Sequence, residues 1–262
     1  LGATAATNVA TLNAALLTNS WVVISTPGTY EFNNPILIPS NRRLTINPGV
    51  TLKLAANTNK YLIRNYGTDG TFGTWSAGNT NITLEVYGWL DFNFANNTTT
   101  AGIDANIANW PGFGIHFYNV TEVNCPTLHM IGTTFDSATG AKYALAFTGC
   151  SKIRGGYCWV ENRSDGIHLM GGNVGFDWDT IEGKTGDDLF SSTPKDYNSY
   201  VIAGTAAHNS GIHIKKLIQT GSSYAANVSG GVYSGTTYTT INTIIDDIYH
   251  KPSSSAVSSI KS

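Results

Sequence analysis

Three segments of this chain repeat one pattern at a nearly constant spacing, and that repetition limits the fold more than any other feature. Gly114-Ile115-His116-Phe117, Ala144-Leu145-Ala146-Phe147 and Gly166-Ile167-His168-Leu169 each alternate a small or polar residue with an apolar one, the period of a half-buried strand. A fourth begins at Asp188-Leu189-Phe190-Ser191. Ile115, Leu145, Ile167 and Leu189 form one inward series with gaps of 30, 22 and 22 residues, so an insertion at residues 133 to 141 interrupts an otherwise constant repeat. A second series, Val160-Glu161, Ile181-Glu182, Ile218-Gln219 and Ile245-Asp246, has gaps of 21, 37 and 27 residues. Its unequal gaps place insertions in turns, one of them around residues 193 to 210. Strand-like segments recurring every twenty-odd residues predict an all-β, single-stranded parallel β-helix.

The ends fit that reading. Residues 7 to 17 (TNVATLNAALL) place Val9, Leu12, Leu16 and Leu17 on roughly one face behind a polar start, which predicts a short helix capping the open first coil. The β-helix domain is expected over residues 1 to 252, with a Ser-rich tail at 253 to 262. Abundant Asn, Thr, Ser and Gly, with only 12% charged residues, suit many tight turns between short strands. A net charge of −2 without a basic run argues against nucleic acid or an anionic membrane surface as partner. No apolar run approaches the ~20 residues needed to span a bilayer, so a soluble protein is expected. Cys125, Cys150 and Cys158 are odd in number and fall on core-like segments, which predicts buried free thiols.

The repeat also brings distant acids together. Asn162-Arg163-Ser164-Asp165-Gly166 and Gly186-Asp187-Asp188 hold Asp165 and Asp187 22 residues apart, one coil, and neighbouring strands lie about 4.8 Å apart. Three crowded carboxylates repel when all are ionised, so one should have a raised pKa and donate a proton at neutral pH. Asp165 precedes Ile167 by two residues and Asp187 precedes Leu189 by two, which sets those two acids side by side and Asp188 on the diagonal. A diagonal pair at about 7 to 8 Å leaves room for the water of an inverting glycosidase. Asp188 or Asp187 is then the general acid and Asp165 the base. His168, on the outward side of its strand, is expected to bind a sugar hydroxyl, with His208 and Lys215 serving from the insertion and Tyr197 and Trp159 stacking on sugar rings. Trp178, between Asp177 and Asp179, is a weaker stacking candidate. Two alternating carboxylates do not specify a calcium site, so no metal or cofactor is expected.

The segment Pro27 to Ala55 (PGTYEFNNPILIPSNRRLTINPGVTLKLA) resembles the opening coil of the pectate-lyase-like superfamily, which implies a right-handed winding. The two acidic motifs are similar to the Asn-Thr-Asp-Gly and Asp-Asp motifs of polygalacturonase-type glycoside hydrolases, although one extra residue separates Asn162 from Asp165 and the downstream Gly-His-Gly and Arg-Ile-Lys signatures are absent. That resemblance implies that Asp165, Asp187 and Asp188 protonate the leaving oxygen and activate a water, with inversion. Low charge and abundant Asn and Thr make the chain look like the catalytic solenoid of a bacteriophage tailspike or capsule depolymerase. This resemblance implies a homotrimer, an extracellular or virion location and a cell-surface polysaccharide as substrate. A polysaccharide lyase and a non-catalytic receptor-binding or adhesin solenoid are the alternatives.

Overall fold

The computed structural model describes residues 1–2, 4–66, 78–97, 112–132, 142–194, 208–221, 223–233, 236–250 and 260–261 of the chain. They build a mostly β architecture with one helix, in which nearly all strand pairs are parallel. The long sheet carries, in spatial order, Trp21–Ile24, Arg42–Ile46, Asn79–Val86, Val120–Ile131, Ser151–Asn162, Val174–Thr185, Asn209–Gln219 and Thr240–His250. The second carries Ile36–Ile38, Ile63–Asn65, Gly112–Tyr118, Lys142–Thr148, Ile167–Gly171, Phe190–Ser192, Ala226–Val228 and Ile260–Lys261. From Ile36 onward, strands of the two sheets alternate along the chain, apart from a branch of short strands. That branch, Gly28–Phe32, Val50–Leu54 and Trp89–Asp91, joins the long sheet beside the C-terminal half of Val120–Ile131. Beyond residue 120, single long strands replace pairs of short ones. The exception to parallel pairing is a hairpin of Gly231–Tyr233 with Thr236–Tyr238.

Period-2 alternation decides which residues form the core. Ile82, Val123, Ile153, Phe176 and Ile212 follow one another across the long sheet, and Ile63, Ile115, Leu145, Ile167, Phe190 and Ala226 across the second, all fully or almost fully buried. Large and small residues alternate where space demands it. Gly155 lies beside Trp178 in the register, and a Cβ at Gly155 would come within 2.0 Å of the indole. Polar turns are satisfied by stacked asparagines. Asn173 accepts from the Cys150 amide at 3.0 Å, while its own amide group donates to Phe147 O at 3.1 Å and to Asn209 Oδ1 at 3.0 Å. Asn209 in turn donates to Leu169 O. Cys125, Cys150 and Cys158 are buried and unbridged, as expected.

The helix runs from Ala5 to Thr18, slightly longer than predicted, with the Thr4 hydroxyl accepting from the Thr7 amide as its N-cap. Leu12 and Leu16 are buried as expected, but Leu17 is 47% exposed and Asn8 takes a buried place, donating to Glu31 O. Asn13 likewise bonds the backbone of Pro35 and Leu37, so side-chain amides as well as leucines dock the helix onto the first strands.

Three sequence-based expectations shift. The inward series passes from Ile167 to Phe190, not Leu189, because a bulge at Met170-Gly171, where Phe147 pairs with Leu169 but Thr148 with Gly171, lengthens the repeat from 22 to 23 residues, and Asn162 opposite Thr185 and Ile167 opposite Phe190 keep that length. The second series is out of register as read: Ile181 pairs with Cys158 and Leu217, and Ile245 with Ile214. The expected tail contributes a short strand, Ile260–Lys261, to the second sheet. The insertion at residues 133 to 141, and residues 195 to 207 of the other, lie outside the described residues.

Candidate functional site

The acids sit where strands of the long sheet turn into strands of the second. Asn162 ends one strand and donates through Nδ2 to Asp165 O at 2.6 Å, closing the turn that leads into Ile167–Gly171. Gly166 follows because a Cβ there would meet Leu189 O at 2.4 Å. Its amide bonds Asp188 O at 2.9 Å, tying the two acidic turns together. One repeat on, Thr185 donates to Asp187 O at 3.0 Å, itself held by Gln219 at 2.8 Å.

With Ile167 opposite Phe190, the residue facing Asp165 is Asp188, and the expected diagonal geometry is corrected. An oxygen from each of Asp165, Asp187 and Asp188 lies within 4.8 Å of the others. Asp165 and Asp188 are each 3% exposed, whereas Asp187 reaches solvent. Burial first, and then the neighbouring Asp165 charge, push the Asp188 carboxyl up to about 7, with a smaller push from Asp187 and partial relief from the Asn227 hydrogen bond. Asn227 donates to Asp188 Oδ2 at 2.9 Å, while Oδ1 is buried with no hydrogen bond among the described residues. An unbonded buried oxygen is far less costly on a neutral carboxyl than on a carboxylate, so the geometry agrees with the raised pKa.

His168 is not the outward sugar ligand expected from alternation. It is buried at 1% exposure, stacks on Tyr143 at 4.2 Å, and binds Asp165 Oδ2 through Nδ1 at 2.6 Å and the Thr193 hydroxyl through Nε2 at 2.5 Å. The other binding candidates do not join the acids. Lys215 pairs with Asp179, and His208 accepts from the amide and hydroxyl of Thr239. Trp159 lies half-buried on the outer face of the long sheet, in register with His129 and Glu182. Tyr197 falls outside the described residues. Trp178 is wholly buried and stacks on Phe176 at 5.3 Å, so it is core. Asp177 and Asp179 are exposed and pair with His213 and Lys215, as a solvated strand should.

Sequence reasoning missed Thr193, Tyr143 and Asn227. Tyr143 is legible once Leu145 is set opposite Ile167, because it then faces Asp165. Thr193 and Asn227 depend on the register past residue 188, which the sequence misplaced by one.

Three carboxylates within 4.8 Å form the one cluster of potential metal ligands among the described residues. Calcium needs six to eight oxygens. Here His168 already occupies Asp165 Oδ2 and Asn227 occupies Asp188 Oδ2, so the donor set falls short. A recess of about 210 Å³ between the helix and the first strand, lined by Leu12, Ala15, Val22 and Tyr30, is remote from these acids in sequence and holds no carboxylate or histidine. Comparison with known proteins returns no matching family model, curated protein or solved structure.

Proposed function

We propose that the chain winds as a right-handed parallel β-helix and hydrolyses glycosidic bonds of a cell-surface polysaccharide at Asp165, Asp187 and Asp188. Parallel pairing in both sheets, a near-constant register and strands alternating between the sheets support the winding. One observation carries the chemistry: Asp188, buried, brings an oxygen within 4.8 Å of one from each of two further carboxyl groups, an arrangement that pushes its carboxyl up to about 7 and leaves it part-protonated at neutrality. In this reading Asp188 protonates the departing glycosidic oxygen, and a second carboxylate supplies the nucleophile or activates the water.

The structure bears on the stereochemical expectation. A diagonal Asp165–Asp188 pair would suit inversion, but these residues face each other directly, and acid oxygens within 4.8 Å are closer than the roughly 6.5–9.5 Å that admits a water between carboxyl groups. The spacing supports retention. A homotrimer outside the cell or on a virion is the setting that goes with this reading, and the exposed Ile241, Ile244 and Tyr249 of the last long strand offer an apolar face to a second copy.

Burial of Asp165 and Asp188 favours a second reading, a saccharide-binding solenoid without turnover. The test is incubation with purified bacterial surface polysaccharides, following reducing ends, ultraviolet absorbance and the anomer first released. Reducing ends without absorbance, lost in Asp188→Asn, support hydrolysis. Unsaturated ends would make the protein a lyase, and binding without cleavage an adhesin. Undiminished turnover in Asp165→Asn, Asp187→Asn and Asp188→Asn would end the assignment to these acids.

A further inference from the structure

The outer face of the second sheet carries the same side-chain pair twice. His116 Nε2 lies 3.0 Å from Thr148 Oγ1, and His168 Nε2 lies 2.5 Å from Thr193 Oγ1. In both cases the threonine sits two residues past the histidine's partner on the next strand, since His116 pairs with Ala146 and His168 with Ser191. Both histidines are 1% exposed. What differs is the residue three positions before each histidine. Before His116 it is Phe113, whose ring lies 4.7 Å from the imidazole. Before His168 it is Asp165, whose Oδ2 lies 2.6 Å from Nδ1.

Ring roles follow from the partners. Nδ1–H of His168 donates to the Asp165 carboxylate, and Nε2 shares a hydrogen bond with the Thr193 hydroxyl. Tyr143, stacked on the ring at 4.2 Å, blocks its rotation. Asp165 is thus fixed at one oxygen by a ring that Thr193 and Tyr143 hold at two further points.

We propose that His168 is a positioning residue: a structural histidine–threonine pair, present without the acid at His116 and Thr148, has here been joined to Asp165 and holds that carboxylate against Asp188. The inference rests on the hydrolase reading for its kinetic consequence but not for its geometry. Buried side chains locked by hydrogen bonds are what keeps a reacting group in productive alignment, and a misplacement of about 1 Å costs on the order of a hundredfold in rate.

The experiment uses the full chain and four variants. His168→Gln keeps a group able to reach Thr193 but loses the Nδ1 donor, His168→Asn keeps a donor at the Nδ1 position, Asp165→Asn removes the acceptor charge, and His116→Gln makes the same change at the pair that has no acid. Proton and nitrogen NMR of the imidazoles should show a strongly downfield, exchange-protected His168 Nδ1–H that moves upfield in Asp165→Asn and is unaffected in His116→Gln. In polysaccharide cleavage His168→Gln should lose about a hundredfold in kcat with little change in KM. His168→Asn should recover most of that loss, and His116→Gln should lower thermal stability while keeping kcat. An ordinary, rapidly exchanging His168 N–H would overturn the tether. Equal loss of kcat in His168→Asn and His168→Gln would reduce His168 to scaffold. Absence of cleavage by the unaltered protein would refute the hydrolase reading alone, because the NMR comparison still decides the tether.

Discussion

Replacing Asp188 by Asn should stabilise the protein at neutral and alkaline pH and leave it unchanged in acid. In the folded chain burial and Asp165 raise this carboxyl from 3.8 to about 7. Below pH ~4 it is protonated both folded and unfolded, so Asp and Asn are equivalent. Between about 4 and 7 the unfolded chain releases the proton while the folded chain keeps it, and stability falls as pH rises. Above 7 both states are ionised and the penalty is complete. About three units at ~1.4 kcal/mol each set a ceiling of about 4 kcal/mol, and relaxation of solvent near exposed Asp187 roughly halves it to about 2 kcal/mol. Asn keeps an oxygen for the Asn227 donor, so that bond survives. For a chain of this size the gain corresponds to a Tm higher by about 4–8 °C at pH 8. Paired melting curves at pH 4 and pH 8 measure it, and a difference between the proteins that is the same at both pH values would refute the reasoning.

Further outcomes follow from the same geometry. With Asp188 as general acid, kcat/KM for polysaccharide should fall about tenfold per unit as pH rises beyond about 7, and a profile flat to pH 9 would exclude that role. Asn173→Ala removes the acceptor of the buried Cys150 amide and a donor to Asn209, and should cost about 1–3 kcal/mol in denaturant titration; a change under ~0.5 kcal/mol would mean the asparagine stack is dispensable. Gly155→Ala forces a methyl to within 2.0 Å of the Trp178 ring, so a loss of about 1–3 kcal/mol with an altered tryptophan emission spectrum is expected, and an unchanged midpoint would show that the core yields freely.

The parallel strands, the capping helix and the free thiols were legible because each rests on a local pattern: alternation at Ile115, Leu145 and Ile167, a polar start before Leu12 and Leu16, and an odd number of cysteines on apolar segments. Convergence of Asp165, Asp187 and Asp188 was legible for the same reason, since a repeat length converts directly into a spatial neighbour. Register was harder. Leu189 and Phe190 are both apolar and both buried, so alternation alone does not say which follows Ile167, and a slip of one residue exchanged Asp187 for Asp188 as the acid facing Asp165. Burial of His168 was illegible because outward alternation says nothing about what packs against the outer face; there Tyr143 and Thr193 enclose the ring. Lys215 and His208 were assigned to the acids by proximity to an insertion in sequence, whereas in space they answer to Asp179 and Thr239.

Whether folding leaves Asp188 carrying a proton at neutral pH, beside the ionised partners that a sugar-cleaving site requires, is read most directly from a carboxyl titration. Carbon-13 NMR of protein labelled at the aspartate side-chain carbons, with the Asp188 signal assigned by its loss in Asp188→Asn, should show a midpoint near 7 that drops toward the ordinary range in Asp165→Asn. A midpoint near 4 in the unaltered protein, insensitive to Asp165, would contradict the convergence of these acids into one site.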